Sequence, residues 1–206
     1  QAGVVPIGVG GDHSVTLGEL RALAKVHGPL ALIHFDAHTD TGDSYYGKKY
    51  MHGTPFKRAL DEGLIDPACS IQAGMRSAFY NSDDMKTSPD LGLDMVTNMD
   101  IEDMGIDALI GRIKNRVGNR KVFLTFDIDF LEPAYAPATG TPEIGGFTSR
   151  ETLKILRGLR DINFVGYDIV EVAPQYDNSQ ITSLMAATIL FEWVSIIAYQ
   201  KLHKKG

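Results

Sequence analysis

The sequence contains a single cysteine, Cys69, so the chain can form no internal disulfide and has no cysteine-rich structural zinc site. Cys69 lies in an apolar run, which predicts a buried structural thiol. The sequence also lacks clusters of lysine or arginine, and its formal net charge of −6 argues against a nucleic-acid partner. The negative overall field instead suits a cationic small substrate.

A nucleotide fingerprint and a long hydrophobic run are also missing. The glycines that begin at Gly8 suggest a GxGxxG frame, but its sixth position is His13 and no lysine follows. These glycines indicate instead that backbone approaches a site closely. The most apolar segment, residues 184–199, is short and contains Glu192, which predicts a buried C-terminal helix rather than a membrane span.

Length and composition predict a single domain over residues 1–206. Apolar residues make up 44% and charged residues 22% of the chain, as in ordinary soluble globular domains, and this length can enclose one sizeable core. The chain begins at Gln1 rather than Met and enters an apolar run almost at once. We therefore expect it to lack its N-terminal segment, and a targeting sequence there stays open.

Strand-like and helix-like segments alternate along the chain, which predicts an α/β fold with a mostly parallel sheet and helices on both faces. Residues 79–92 are polar and helix-like but are broken by Pro89 and Gly92, and residues 130–146 predict an ordered loop. The predicted strands are residues 4–9, 30–33, 69–73, 94–97, 122–126 and 164–172. The predicted helices are residues 14–27, one starting near Pro55, 106–117, one from the capping box Thr148–Glu151 to Leu159, and one from Ser179.

Three of these strands end in side chains that bind metals. The donors are, in chain order, His13, Asp36, His38, Asp40, Asp127 and Asp129. Alternation by two would put Asp36, His38 and Asp40 on one side of an extended chain. Each motif alone could be a polar loop with helix-capping residues, and His13 could be the residue that starts a helix. Three such clusters at the carboxyl ends of strands, where α/β sheets bind ligands, favour metal ligation.

Four carboxylates and two imidazoles predict two divalent cations rather than one. The carboxylates balance the charge of two such ions, and a shared carboxylate and water can bridge ions about 4 Å apart. Oxygen-rich ligation with one histidine per ion suits Mn²⁺, while Zn²⁺, Ni²⁺ and Co²⁺ are alternatives. Such ions make bound water acidic enough to attack an sp² carbon near neutral pH, so the donors predict a hydrolase.

Several groups near these donors have roles that the residues leave open. His52 could be a further imidazole ligand, a proton shuttle or a capping residue. Glu171 ends a strand of the same sheet and could hold a planar guanidinium or form a helix-cap or loop ion pair. For Arg76, a surface ion pair is the leading interpretation and a contact with the substrate is the second. The tyrosines of loop 41–50 could line a substrate entrance or pack the loop.

Three motifs resemble the signatures of the ureohydrolases, the arginase and agmatinase enzymes. They are GGDHS at residues 10–14, DAHTD at 36–40 and TFDIDFLEP at 125–133. The resemblance runs from about Val4 to the C-terminal helix, and it implies a three-layer arginase-type α/β fold with two Mn²⁺ ions per chain. It implies these ligand pairs: His13 with Asp40 on one ion, His38 with Asp129 on the other, and Asp36 with Asp127 as bridges.

The same resemblance implies catalytic roles outside the ligand set. His52, in HGTPF, matches the proton-shuttling histidine of the family, and Glu171, in EVAP, matches the carboxylate that holds the guanidinium. Members of the family usually have a further N-terminal segment. They commonly form trimers or hexamers, so we expect a homo-oligomer, and we expect a cytoplasmic location with no membrane partner.

Residues 136–143 look like the agmatinase branch of this family. Gly42 stands where arginases carry the asparagine that holds the α-amino-acid end of the substrate, which argues against L-arginine. Residues 43–47 are similar to agmatinases and to guanidino-acid hydrolases such as guanidinobutyrase. The sequence therefore predicts hydrolysis of agmatine to putrescine and urea, with guanidinobutyrase or another guanidino-acid hydrolase as the alternative.

Two interpretations from other classes fit less well. An inactive metal-binding homologue, such as a regulatory subunit, conflicts with the intact set of donors. A single-zinc deacetylase on a related fold conflicts with Asp40 and with the Asp127–Asp129 pair, which argue for two ions.

Overall fold

The computed structural model describes residues 3–78 and 88–203. The strands are β1 (Ile7–Val9), β2 (Ala31–Phe35), β3 (Ile71–Met75), β4 (Asp94–Thr97), β5 (Val122–Asp127) and β6 (Phe164–Val170). The helices are α1 (Val15–His27), α2 (Pro55–Asp61), α3 (Asn98–Met104), α4 (Ile106–Val117), α5 (Ser149–Gly158) and α6 (Ile181–His203). Short 3₁₀ turns lie at Pro67–Cys69, Ile128–Phe130 and Pro174–Tyr176.

The strands form one sheet in the order β1-β6-β5-β2-β3-β4, and every pair of neighbours is parallel. The central strands β2 and β5 are buried along their whole length, as expected for strands covered by helices on both faces. The predicted fold class is confirmed. Because the sheet is parallel, the carboxyl ends of β1, β6, β5 and β2 lie side by side at one edge.

Successive residues of β2 point to opposite faces of the sheet and enter two different clusters of buried side chains. Leu32 packs toward α1 and α2, whereas Ile33 packs toward the helices of the other face. The first cluster contains Leu17, Leu20, Leu30, Leu32, Phe56, Ala59, Ile65 and Phe123. The second is larger and includes residues of α3, α4, α5 and α6. The sheet is therefore the middle of three layers.

Helix α6 is the one helix among the described residues whose length and composition would suffice to cross a membrane. One of its faces packs into the core, where Trp193 is fully buried and stacks on Tyr167 at 5.1 Å between ring centroids. Its Glu192 forms an ion pair with Arg157 of α5. The opposite face exposes apolar side chains, so the predicted buried helix is buried on one side only.

Element boundaries differ from the predictions by a few residues. The first strand begins at Ile7 rather than residue 4. The third begins at Ile71, because Pro67–Cys69 forms a 3₁₀ turn in which Asp66 caps the amide of Ala68. Cys69 is consequently half-buried rather than buried, although its thiol is free and packs against the core.

Capping residues decide where two of the helices start. The predicted capping box is confirmed, since Thr148 and Glu151 satisfy each other's backbone amides at the start of α5. A second capping box, Thr97 with Asp100, starts α3, a helix that sequence reasoning missed. The helix-like segment predicted within residues 79–92 lies largely outside the described residues.

Candidate metal centre

Four neighbouring strands place polar side chains at one edge of the sheet. His13 follows β1, Asp36 follows β2, Asp127 ends β5 and Glu171 follows β6. The side chains of His13, Asp36 and Asp127 are buried. Buried ionisable groups require partners or counter-charges, so this edge is the candidate site for a bound ion.

The His13 half-site, which we define as His13, Asp36, Asp40 and Asp127, gathers its donors around one point. His13 Nδ1 lies 3.1 Å from Asp36 Oδ2, 3.0 Å from Asp40 Oδ2 and 3.3 Å from Asp127 Oδ2. This buried nitrogen has no hydrogen-bond partner among the described residues. Donors that converge on a point without bonding one another have the arrangement of metal ligands.

The His38 half-site, which we define as His38, Asp36 and Asp129, lies on the other side of Asp36. His38 Nδ1 is 3.0 Å from Asp129 Oδ2 and 3.4 Å from Asp36 Oδ1. Asp129 Oδ2 is buried and also lacks a hydrogen-bond partner in the described part of the chain. Asp36 therefore presents one oxygen to each half-site, as does a carboxylate shared between two ions.

The chain beyond β2 is folded rather than extended, which corrects the predicted alternation of ligands. Strand β2 ends at Phe35, and Asp36 Oδ1 then accepts the amide of His38 over 2.6 Å. Asp40 has a positive φ of 49°. His38 and Asp40 consequently face different half-sites. A non-glycine residue in this left-handed conformation costs about 1–3 kcal/mol, a strain found mostly at functional sites.

Each carboxylate of the motif that ends β5 uses one oxygen to hold backbone and leaves the other for the centre. Asp127 Oδ1 accepts the amide of Asp129 over 2.9 Å. Asp129 Oδ1 accepts the amide of Ala37 over 3.0 Å, which ties the β5 motif to the β2 motif. These bonds fix both side chains before any ligand binds.

The half-sites concentrate more negative charge than their histidines neutralise. Burial raises the pKa of Asp127, and the charges of Asp129 and Asp36 raise it further. Burial and the charge of Asp36 raise the pKa of Asp129 to about 7. Burial alone would lower the pKa of His38, but the nearby carboxylates of Asp129 and Asp36 raise it to about 12. Added positive charge would relieve this excess of buried carboxylate.

Divalent cations fit these donors. In an octahedral site with ligands about 2.1 Å from the ion, adjacent donor atoms lie about 3.0 Å apart. The separations of 3.0–3.3 Å around His13 Nδ1 are close to that value. By mutual distance, Asp36, His38 and Asp129 form one group that could hold an ion, and His13, His34 and Asp36 form another.

His34 is a buried residue of this region whose role sequence reasoning missed. Gln72 Nε2 lies 2.6 Å from the carbonyl of Thr39 and 2.8 Å from His34 Nδ1, so it is a donor to both. His34 Nε2 consequently carries the hydrogen and donates to Asp36 Oδ2 over 2.6 Å. Both ring nitrogens are thus engaged, and His34 orients Asp36 instead of binding an ion. A histidine inside an apolar strand, two residues before Asp36, was the available signal.

The hydrogen bond from His34 also helps to keep Asp36 ionised. Burial alone would raise the pKa of Asp36, but His34 and the histidines of both half-sites outweigh it and hold that pKa well below its usual range. Burial lowers the pKa of His34 itself. The neutral imidazole and the ionised carboxylate are the forms that suit a shared metal ligand.

Thr125 of β5 is a second polar residue that sequence reasoning did not select. His13 Nε2 lies 2.9 Å from Thr125 Oγ1, and both side chains are fully buried. With His13 Nδ1 directed into its half-site, Nε2 carries the hydrogen and donates to this hydroxyl. The signal in the sequence is a lone hydroxyl in the otherwise apolar run before Asp127.

Glu171 lies against the His13 half-site in a constrained conformation. Its Oε1 accepts the amide of His13 over 2.7 Å, and its own amide donates to the carbonyl of Gly11 over 2.9 Å. Its φ is 64°, a second left-handed non-glycine residue at this edge. Of the alternatives left open for Glu171, neither a helix cap nor an ion pair is what these contacts form.

His52 lies in the loop that leads into α2, half-buried and edge-on to Tyr45 with 5.5 Å between ring centroids. It is near enough to Glu171 that its charge opposes the rise in the pKa of that carboxyl caused by burial. Tyr46 and Tyr50 of the same loop are exposed. The structure therefore places His52 within electrostatic range of Glu171 and outside the two half-sites.

Among the described residues Arg76 forms no surface ion pair, and the alternative of a substrate contact stays a prediction. Its guanidinium is partly buried and donates to backbone carbonyls, the closest being that of Asp129 at 2.6 Å. The other acceptors are the carbonyls of Gly74, Phe130, Leu131 and Glu143. Arg76 thus fastens the β5 motif and the following loop, which carries Glu143, to the end of β3.

Comparison with known proteins relates the chain to one family. The model of the Arginase family matches residues 1–195. Guanidinopropionase of Pseudomonas aeruginosa is 44% identical over 198 residues, which cover 96% of this chain and 62% of that protein. Agmatinase of Enterobacter sp. (strain 638) is 50% identical over 200 residues, which cover 97% of this chain and 62% of that protein.

A solved structure resembles the whole described fold. Proclavaminate amidino hydrolase from Streptomyces clavuligerus superposes with a TM-score of 0.86 at 45% identity, covering 90% of this chain and 62% of that one. The chain spans about three fifths of the length of the curated relatives it matches, given the 62% coverage of each.

Proposed function

The chain belongs to the arginase family, and on that premise we propose that it hydrolyses a linear guanidino compound to urea and an amine. The observation that carries the proposal is the position of Asp36, which offers Oδ2 to the His13 half-site and Oδ1 to the His38 half-site. A two-ion centre needs such a shared carboxylate. We propose two Mn²⁺ ions as its occupants, because oxygen-rich ligation with one histidine per ion suits that metal.

The bound ions would supply an acidified water as nucleophile and would neutralise the carboxylates around it. The chain's own residues hold the donors in place. Asp36 and Asp129 are fixed by amides and by His34, and His13 by Thr125. Such preorganisation lowers the cost of assembling the reacting groups.

Glu171 would bind and orient the guanidinium. The bonds of Glu171 to His13 and Gly11 fix its carboxyl at the edge of the His13 half-site. A planar guanidinium donates two parallel hydrogen bonds to a carboxylate, so Glu171 would direct the guanidinium carbon toward the centre. Burial raises the pKa of Glu171, and a bound cation would counter that shift.

His52 would move the proton that hydrolysis requires. The reaction adds the water oxygen to the guanidinium carbon, breaks the bond from that carbon to the alkyl-substituted nitrogen, and leaves a proton on that nitrogen. His52 lies within electrostatic range of Glu171 and packs edge-on against Tyr45 of loop 41–50. Imidazole is the side chain whose ordinary pKa suits this transfer near neutral pH.

Agmatine is the substrate we propose first, with putrescine and urea as products. Its tail is cationic, and the chain has a net charge of −6. The Glu143 carboxylate stands 3.7 Å from His38 Nε2 at the margin of the centre. The terminal nitrogens of Arg76, which could have paired with an anionic tail, donate to backbone carbonyls instead.

A guanidino acid is the second candidate. The relative named guanidinopropionase is 44% identical to the chain, near the 50% of the relative named agmatinase. Lys48 and Lys49 are exposed in the loop between Asp40 and His52 and could meet an anionic tail. Guanidinobutyrate and guanidinopropionate are therefore the competing substrates.

Urea release after incubation with Mn²⁺ tests the proposal, with agmatine, 4-guanidinobutyrate, 3-guanidinopropionate and L-arginine compared at equal concentration. We expect turnover of agmatine above the acids and little from L-arginine. Glu171→Gln should lower kcat/KM by about 100-fold or more with metal content unchanged, because loss of one partner of a buried charge pair costs about 2–5 kcal/mol. Glu102→Gln, the same change on an exposed face of α3, is the control.

The outcomes separate the candidates. A preference for either acid would replace agmatine by a guanidino acid and leave the centre as proposed. Protein that binds two Mn²⁺ but releases urea from none of the four compounds would contradict the proposed hydrolysis.

A further inference from the structure

A buried row of polar residues crosses the sheet directly beneath the strand-end ligands. Gly8 pairs with Asp168, Asp168 with Thr125, and Thr125 with His34 in the parallel ladders of β1, β6, β5 and β2. Register partners in a sheet point to the same face. Asp168, Thr125 and His34 are all fully buried. The row is therefore a layer of polar groups between the ligands and the apolar core.

One end of this row is a pair of carboxyl groups that the proposed reaction does not use. Thr16 Oγ1 of α1 donates to Asp168 Oδ2 over 2.5 Å. Glu19, almost one turn further along α1, reaches over the sheet, and its Oε1 lies against Gly8, the register partner of Asp168. Glu19 is half-buried beside the fully buried Asp168, and neighbouring carboxyl groups repel each other if both are ionised, so the pair favours sharing a proton.

The sequence makes room for Glu19 at a specific place. A Cβ atom on Gly8 would lie 2.1 Å from Glu19 Oε1, so any larger residue at position 8 would displace the carboxyl. Gly8 has an ordinary extended conformation in β1 and needs no glycine for its backbone. The glycine is explained by the carboxyl that rests on it.

The hydrogens of this network run in one direction. His13 Nε2 donates to Thr125 Oγ1, as the lone pair on Nδ1 requires. The single hydroxyl hydrogen of Thr125 is then free to point toward Asp168, its register partner on β6, which already accepts the hydroxyl hydrogen of Thr16. Asp168 is thus the ionised acceptor, and Glu19 is the donor. Burial and the charge of Asp168 raise the pKa of Glu19 to about 8, which agrees with this direction.

We propose that Glu19 is a positioning residue of the His13 half-site that acts as a neutral carboxylic acid. It donates to Asp168, holds that carboxylate against Thr125, and thereby keeps the lone pair of His13 Nδ1 directed at the ion. Outer-shell partners of metal-bound histidines have this function in other proteins, and their loss weakens metal binding by about 10–100-fold. The inference rests on the metal centre of the proposed function.

Calorimetric titration of metal-depleted protein with Mn²⁺ tests the role of Glu19. Glu19→Gln keeps a donor of the same shape, since its amide can donate to Asp168, whereas Glu19→Leu removes the donor at similar volume. We expect Glu19→Leu to lower the affinity for one of the two ions by about 10–100-fold. The affinity of Glu19→Gln for that ion should stay within about threefold of wild type. Glu102→Leu on exposed α3 is the control.

Gly8→Ala gives a second route to the same displacement if Glu19→Leu fails to fold, as judged by thermal unfolding without metal. Gly8→Ala keeps the Glu19 carboxyl but displaces it from its position beside Gly8, so it should weaken binding of the same ion. Rescue by glutamine and selectivity for one ion separate positioning from a general loss of stability.

Two results would overturn the role of Glu19 while leaving the centre intact. The first is wild-type Mn²⁺ affinity in Glu19→Leu. The second is an equal loss of Mn²⁺ affinity in Glu19→Leu and Glu19→Gln, which would mean that an ionised Glu19 is needed. Wild-type protein that binds fewer than two Mn²⁺ ions would instead contradict the proposed centre and, with it, this inference.

Discussion

The two half-sites share Asp36 but differ in how the fold supports them. The side chain of His13 is fully buried, whereas that of His38 is 24% exposed. The outer nitrogen of His13 bonds Thr125 at 2.9 Å, while the outer nitrogen of His38 has Glu143 at 3.7 Å, beyond hydrogen-bond length. One half-site is thus completed inside the sheet, and the other at its margin.

The difference follows from the elements that carry each half. The His13 half-site rests on strand residues of β5 and β6 and on α1, whose packing is fixed by the core. The His38 half-site depends on two loops that follow β2 and β5. Those loops are joined by the bond from the Ala37 amide to Asp129 and are clamped by Arg76. Regular structure therefore supports the histidine of one half through Thr125 of β5, and backbone hydrogen bonds between loops support the other half.

Removal of the shared ligand should have the largest effect. Asp36→Asn leaves one oxygen where two are needed. The affinity for both ions should therefore fall by more than the roughly 100-fold upper range for loss of an outer-shell partner. Asp129→Asn should weaken the ion of the His38 half-site alone. Metal content after dialysis against micromolar Mn²⁺ measures both. Loss of a single ion in Asp36→Asn would show that Asp36 is not shared.

Metal binding should release protons, and affinity should rise with pH. Without metal, the nearby carboxylates of Asp129 and Asp36 overcome burial and raise the pKa of His38 to about 12. The carboxylates of Asp127, Asp36 and Asp40 likewise overcome burial and raise the pKa of His13 well above its usual value. Both imidazoles are then protonated at pH 7, and Asp127 and Asp129, whose pKa values burial raises, add protons of their own, so at least two protons per chain should be released on binding.

Calorimetry in two buffers of different ionisation enthalpy counts these protons. Because a raised histidine pKa makes protons compete with metal, the affinity should climb as pH rises from 6 to 8. A binding heat that is independent of the buffer would contradict the protonated state of the two histidines.

The smallest effects should separate the outer contacts of the two histidines. Thr125→Val removes the hydroxyl bonded to His13 without changing shape, and should weaken its ion by about 10–100-fold. Glu143→Gln removes a charge from a partly exposed group 3.7 Å from His38, and should weaken the other ion by less than about tenfold. Mn²⁺ titration of both variants gives the ratio of the two losses in Mn²⁺ affinity. Equal losses would mean that the sheet supports His13 no better than the loops support His38.

Apolar runs and motif positions were sufficient to predict the fold class and the residues that gather at the sheet edge. Buried parallel strands are continuous apolar runs, and donors that follow them must meet at one edge. The alternation drawn for Asp36, His38 and Asp40 was wrong, because the left-handed Asp40 turns the chain after β2. That conformation depends on tertiary contacts and leaves no trace in residue spacing.

The polar layer beneath the ligands could not be predicted from single motifs. His34, Thr125 and Asp168 meet only because β2, β5 and β6 are neighbours in one register. Each looks like an isolated polar residue in an apolar strand. The backbone clamp formed by Arg76 escaped prediction for a related reason, since its described partners are backbone carbonyls, which no side-chain pattern marks.

Electron paramagnetic resonance of the protein loaded with Mn²⁺ tests the shared centre most directly. If Asp36 joins the half-sites, two ions bind per chain and their spins couple, giving a spectrum distinct from that of isolated Mn²⁺ and absent from Asp36→Asn. Two bound ions with the spectrum of isolated Mn²⁺, or a single ion per chain, would contradict the account.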